Sequence, residues 1–326
     1  MKNFSLPQLF CNFLVAAALT LVPAQVSFSQ EIDTGVIELI AKGDVQAAKK
    51  LLLASGVNTS DPKSVSDTTN SIIQSVLAGS NSAQLSATIE QAVASLTQAV
   101  YELSIESNLS PEATSIAVEA TARGAVTAVI TAPAITEIAL ASALKSSASG
   151  ATAGAMEAAA SAQIAGSVSI NVEKAAESAA KGSIVALSVM SSEGKSNSAI
   201  ASAAQAISAG VVQASVESAA ETGIEPAEIA SSVAASIETA ASTISSDSSL
   251  ASSISDAVSN GIQQGALTGA NNAGITGEAA TDLAADAQEA AEEAESDDSG
   301  SGDIPDIVIT DPEDVTEVEV SPSTEA

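Results

Sequence analysis

The sequence predicts an all-α protein: an array, bundle or solenoid, of Ala/Ser/Gly-rich helical repeats of about 25–30 residues with a disordered acidic C-terminal tail. Three observations carry this. The chain of 326 residues is 46% hydrophobic, yet has four Phe, one Tyr and no Trp, so its core must be thin and its helices close. Small residues recur four apart around centres at 95, 124, 154, 182, 210, 236, 261 and 286. Stop and start signals recur between those centres, as in Gly223-Ile224-Glu225-Pro226.

Taken in order, residues 1–29 have the pattern of a secretory signal peptide. Lys2 precedes an apolar run from Phe13 to Val22, and cleavage is expected after Ser29, alternatively after Ala24. The expected location is therefore secreted, periplasmic or cell-envelope. Cys11, the only cysteine, lies within that leader, so the mature chain forms no disulfide.

Residues 30–58 read as a helical hairpin, with Gly43-Asp44 as its turn and Gly56 as its stop. The pair resembles the helix pair of an ankyrin repeat in its Gly-Asp turn and Gly-Val-Asn end. That likeness covers one unit, and the Thr-Pro-Leu-His signature is missing. A single such unit cannot bury its own face, so the pair is expected to cap the array. Residues 59–69, polar and holding Pro62, read as a linker.

The repeat domain is expected over residues 70–294, with breaks near Asn108, Gly194, Gly223, Ser248 and Gly274. Its clearest copy is Asn197–Ile224. There Ile200, Ala204, Ile207, Val211 and Ala214 form one stripe, and Ala206, Gly210 and Ala214 form a flat ridge for a neighbour's backbone. Gln213, off the ridge, is expected to face solvent. Ala125–Leu144 holds one charge, Glu137, over a length that would span a bilayer. Pro133 interrupts it, no aromatic residue marks either edge and no basic cluster flanks it, so two short buried helices are expected instead.

Residues 295–326 read as a disordered acidic tail: from Glu278 onward there is no Lys or Arg. Within it, the short apolar run Ile307–Ile309 and the segment Val315–Val320, where Val is interleaved with Thr and Glu, suit docking on a protein partner, by adding a strand to a sheet edge.

Little chemistry is on offer. The chain has no His and a net charge of −30, which removes the commonest general base and makes nucleic acid and anionic membranes poor partners. No catalytic, cofactor-binding or metal-ligating residue is assigned. The Ser-x-x-Lys sequences at Ser142/Lys145, Ser178/Lys181 and Ser192/Lys195 lack the companion motifs of serine acylases. Asp297–Val308 has the spacing of a calcium loop but ends on Val where a bidentate Glu belongs. Asn58 and Asn108 head N-glycosylation sequences. The reading is an exported, non-catalytic structural or protein-interaction protein. Its alternative is a surface-active or small-ligand-binding secreted protein, but Thr121, Thr127, Thr131 and Thr136 keep no fixed period of the kind an ice surface requires.

Overall fold

A computed structural model describes residues 34–297 except 82–83, 168–169 and 246. It is all-helical, with no strand among the described residues. Residues 1–33, which include the expected signal peptide, and residues 298–326, most of the expected acidic tail, lie outside the described residues.

The first hairpin is α1 (Thr34–Ile40) and α2 (Val45–Ala54). Asp44 caps α2 by accepting from the Ala47 N–H at 2.9 Å. Gly56, in the left-handed region, stops it. The next helix, α3 (Pro62–Gly79), corrects the sequence reading of 59–69 as a linker. Asp61 accepts from the Lys63 N–H, Pro62 takes the first helical position, and Val65, Ser66, Thr68 and Thr69 are buried. Asp-Pro is a helix start as well as a turn signal, and here the start wins because the following apolar residues find a core.

Then come α4 (Leu85–Glu106), α5 (Pro111–Thr131) and α6 (Glu137–Ile164). Asn108 ends α4 at φ 53°, the one non-glycine positive φ among the described residues. The Ala125–Leu144 run is split at 132–136 as expected, with Thr136 capping α6 through the Ala139 N–H. Its flanking helices are nevertheless long, 21 and 28 residues, rather than short. Next are α7 (Val172–Val185), α8 (Leu187–Ser192) and α9 (Asn197–Thr222). Gly223 caps α9 at φ 74°, the Ile224 N–H returns to the Ala219 carbonyl at 3.0 Å, and Ile224 packs on the core. The chain closes with α10 (Pro226–Ser242), α11 (Ser248–Asn272) and α12 (Glu278–Asp297). Helix α12 carries Glu295 and Ser296, so the helical region outlasts the expected boundary at 294.

With α7 and α8 counted as one unit, helices pack on the helix two units earlier more than on their sequence neighbour. One row runs α2, α4, α6, α9, α11; the other runs α1, α3, α5, α7, α10, α12, with α8 a short continuation of α7. Apolar residues from both rows share one continuous core. Among the described residues it is mostly Ala, Val and Ile, with Tyr101 its largest fully buried side chain. Five buried hydroxyls satisfy themselves locally: Thr97, Ser104, Thr121, Thr152 and Ser215 each donate to the carbonyl four residues back, whereas those of Thr69, Ser147, Ser183 and Ser208 are buried with no protein partner.

Tyr101 ties the rows together. Its hydroxyl donates to the Ile170 carbonyl, just ahead of α7, at 2.9 Å in a buried setting. Tyr101→Phe is expected to lower unfolding free energy by about 1–2 kcal/mol, because a buried carbonyl loses its donor while the ring stays in place. Urea titration followed by circular dichroism reads this; an unchanged midpoint would mean that the bond adds nothing.

Candidate functional site

The most specific construction in the molecule is where the rows touch. A Cβ placed on Gly210 of α9 would overlap the Lys145 carbonyl of α6. The same holds for Gly150 and Gly154 of α6 against Glu90 and Ala94 of α4, for Gly124 of α5 against Ser66 of α3, and for Gly182 of α7 against Glu119 of α5. On α11, Cβ atoms on Gly261, Gly265 and Gly269 would lie 2.5, 2.6 and 2.8 Å from the Gln205, Ala209 and Gln213 carbonyls of α9. In every case the glycine belongs to the later helix and the carbonyl to the helix before it in the same row. Such closeness brings Cα–H groups against carbonyl oxygens and maximises dispersion between backbones.

The sequence-derived centres at 124, 154, 182, 210 and 261 are therefore contact points, one per helix. Ser95 is also buried. Ser236 is only half-buried and Asp286 is exposed, so the pattern loosens in α10 and α12. Gln213 does not face solvent as expected. It is half-buried, its carbonyl receives Gly269, its amide donates to Glu217 at 2.9 Å, and its side-chain oxygen is buried without a partner. The reason is that α9 is sandwiched: Gly210 meets α6, while Gln205, Ala209 and Gln213, each four apart, form a second contact ridge against α11.

Side chains mark the same register. Ser86 and Ser142 hydroxyls lie 2.8 Å apart and those of Ser115 and Ser178 2.5 Å apart. Ser149 donates to Glu90 at 2.8 Å, Ser232 to Glu173, and Asn272 to Glu217 at 2.6 Å. Lys181 meets Glu119 at 3.3 Å, and Lys49 meets Glu102 and Glu106 at 3.4 and 2.5 Å.

The three Ser-x-x-Lys pairs are not assembled for acyl chemistry. Ser142 bonds to Ser86, Ser178 donates to the Lys174 carbonyl, and Ser192 donates to that of Val189. Lys181 and Lys195 are held by Glu119 and Glu193. Among the described residues no group of acidic side chains is arranged to hold a metal ion. The calcium-like sequence lies beyond the described residues except for Asp297. Asn58 and Asn108 are exposed. Thr121 is buried and Thr136 is occupied as a cap, so the threonines present no common surface.

A groove of about 520 Å³ runs between α5 and α7, with Ile116, Ile170 and Ser236 on its walls and Lys174, Glu177 and Lys181 at its rim. Those rim charges are paired, Lys174 with Glu177 at 2.9 Å. Sequence reasoning missed a second feature. Glu238 of α10 is only 5% exposed, and burial, opposed by a hydrogen bond to Ser255 and reinforced by Glu295 of α12, pushes its pKa to about 7. The signal was present: Glu238 stands in the stripe Ala230, Ala234, Ala241, all buried.

One helix among the described residues, α9, is long and apolar enough to cross a membrane, and most of that run is buried between α6 and α11. No family model matches the chain, and no curated protein or solved structure is similar to it.

Proposed function

We propose that this is an exported, non-catalytic scaffold: a solenoid of helical repeats that presents an acidic docking tail to a protein partner. The observation that carries the reading is the one-way glycine contact. In this reading each repeat of about 25–30 residues is one helix, and five of them, α5, α6, α7, α9 and α11, seat a glycine on the preceding helix of the same row, in the manner of repeat proteins whose units contact only near neighbours. Polymeric stacking of this kind holds two ends and two long surfaces at fixed spacing, which suits assembly rather than turnover. The leader sequence supports export to the periplasm, envelope or exterior. The chain's excess of carboxylates supports solubility outside the cell and argues against nucleic acid as a partner. A small-ligand role stays second, on the strength of the α5–α7 groove.

The test is capture from the native envelope and medium fractions with the processed chain and with a version ending at Asp297, compared at equal folded concentration. The expected result is a specific partner retained by the full chain and lost on truncation, with equal melting of the helical region. A markedly lower melting point on truncation would mean that residues 298–326 pack into the array, and no difference in capture would remove the docking role.

A further inference from the structure

The two ends of the array differ. At the C-terminal end, α12 carries eight carboxylates and no base, and the outer side of α11 shows Asp256, Asn260, Gln263 and Gln264. That is the polar finish an array needs at a terminus. At the N-terminal end of the described residues, apolar side chains interrupt the polar surface. Leu39 is 45% and Leu53 60% exposed on the outer side of the first hairpin. Lys42 and Lys50 are exposed beside them, each three residues from one of the leucines; neither makes an ion pair among the described residues, and the one exposed carboxylate of this face is Glu38, four residues before Lys42. Lys49, one residue away, is already held by Glu102 and Glu106. Helix α2, with Lys49 and Lys50 and no acid, is the only helix among the described residues with a net positive charge.

Residues 298–326 have the opposite character: carboxylates at nine positions, no base, and apolar residues Ile307, Val308, Ile309, Val315, Val318 and Val320. We infer that this segment folds back within its own chain onto the outer face of α1 and α2, its acids against Lys42 and Lys50 and its Ile and Val against Leu39 and Leu53. Reach is sufficient. The segment spans up to about 100 Å when extended, while five interhelical steps of 8–10 Å set the array length at roughly 50 Å or less. Attachment to the same molecule gives an effective concentration in the millimolar range, so its own tail outcompetes that of another copy. No strand is present among the described residues, so docking here is by side chains and not by sheet extension. The inference rests on the docking-tail reading and adds its regulation: the tail is parked until a partner displaces it.

Zero-length carbodiimide coupling of the isolated full-length processed chain, read by mass spectrometry, tests it without any partner. Coupling of Lys49 to Glu102 or Glu106 serves as the internal standard. The expected result is that Lys42 and Lys50 couple to carboxylates in 303–325 at least tenfold more than Lys145 or Lys195 do, in the monomer band. About 1 M salt, where screening falls to about 3 Å, should suppress this. Leu39→Ser with Leu53→Ser should cut the coupling several-fold while the lysines stay in place, and since both side chains are exposed the helical melt should not change. Tail coupling spread evenly over all exposed lysines, or confined to the dimer band, overturns the inference. Neither result would touch the capture experiment, which reports on the partner.

Discussion

Gly210→Ala should destabilise the protein, against the ordinary sign of that change. In the middle of an unconstrained helix, replacing Gly by Ala gains about 1 kcal/mol of helix propensity. Here the new methyl must enter the Lys145 carbonyl, a backbone atom with no rotamer to escape into. Helices α6 and α9 have to separate, and the loss spreads along the whole contact because the backbones touch over several turns. A net cost of about 1–3 kcal/mol is expected for Ala and more for Leu. Two controls isolate the cause. Gly79→Ala, at the end of α3 with nothing near its missing Cβ, should be neutral or mildly stabilising. Ser202→Leu, exposed on α9 itself, should change little. Urea midpoints of the three variants decide; equal effects at Gly210 and Ser202 would mean that the glycine ridge reflects composition alone.

Glu238→Gln should stabilise the protein above neutral pH and do nothing in mild acid. The carboxyl is buried on α10, and its pKa rises from the ordinary 4.5 to about 7. A raised folded-state pKa means the folded chain binds the proton more tightly than the unfolded chain. Its contribution is therefore complete below pH 4.5 and is lost as pH climbs through 7. Over that window the swing is on the order of 3 kcal/mol. Above neutrality the buried carboxylate faces Glu295 of α12 with only the Ser255 hydroxyl in compensation. Asp247 runs the other way: the Ser249 hydroxyl and the Ser249 and Leu250 N–H groups hold its pKa below the ordinary value, so its cap is kept at neutral pH and lost in acid. Melting curves at pH 5 and 8.5 should show wild type losing stability at the higher pH and Glu238→Gln retaining it. Parallel losses in both proteins would show that Glu238 is not the titrating group.

Much of the fold was legible because small-residue spacing in an Ala-rich chain is itself a packing statement. Gly124, Gly154, Gly182, Gly210 and Gly261 could be picked out from spacing alone, and each proved to sit on a neighbour's carbonyl. The helix stops at Gly56, Asn108, Gly194, Gly223 and Gly274 were legible for a local reason, since each takes a positive φ. What the sequence did not carry was the partner of each ridge. Spacing says that α9 has a flat face, but not that α6 lies on one side and α11 on the other, so Gln213 was assigned to solvent. The same one-face assumption left 59–69 as a linker, because Thr68 and Thr69 look polar until a tight helix contact makes small hydroxyls good core residues. Glu238 was missed because a single acid in an apolar stripe is usually a surface residue, and only the closure of α11 and α12 over α10 buries it.

The central claim is that each helix seats on the preceding helix of its own row in one fixed register. Removal of the leader, with Cys11, would leave the chain free of cysteine, so engineered thiols report without background. Air oxidation of Ser86→Cys/Ser142→Cys and of Ser115→Cys/Ser178→Cys tests this most directly, since the native hydroxyls lie 2.8 and 2.5 Å apart. The stacked register predicts rapid intramolecular disulfides in both pairs and none in the mismatched pair Ser86→Cys/Ser178→Cys. Failure of both matched pairs to close, or closure of the mismatched pair at a similar rate, would contradict it.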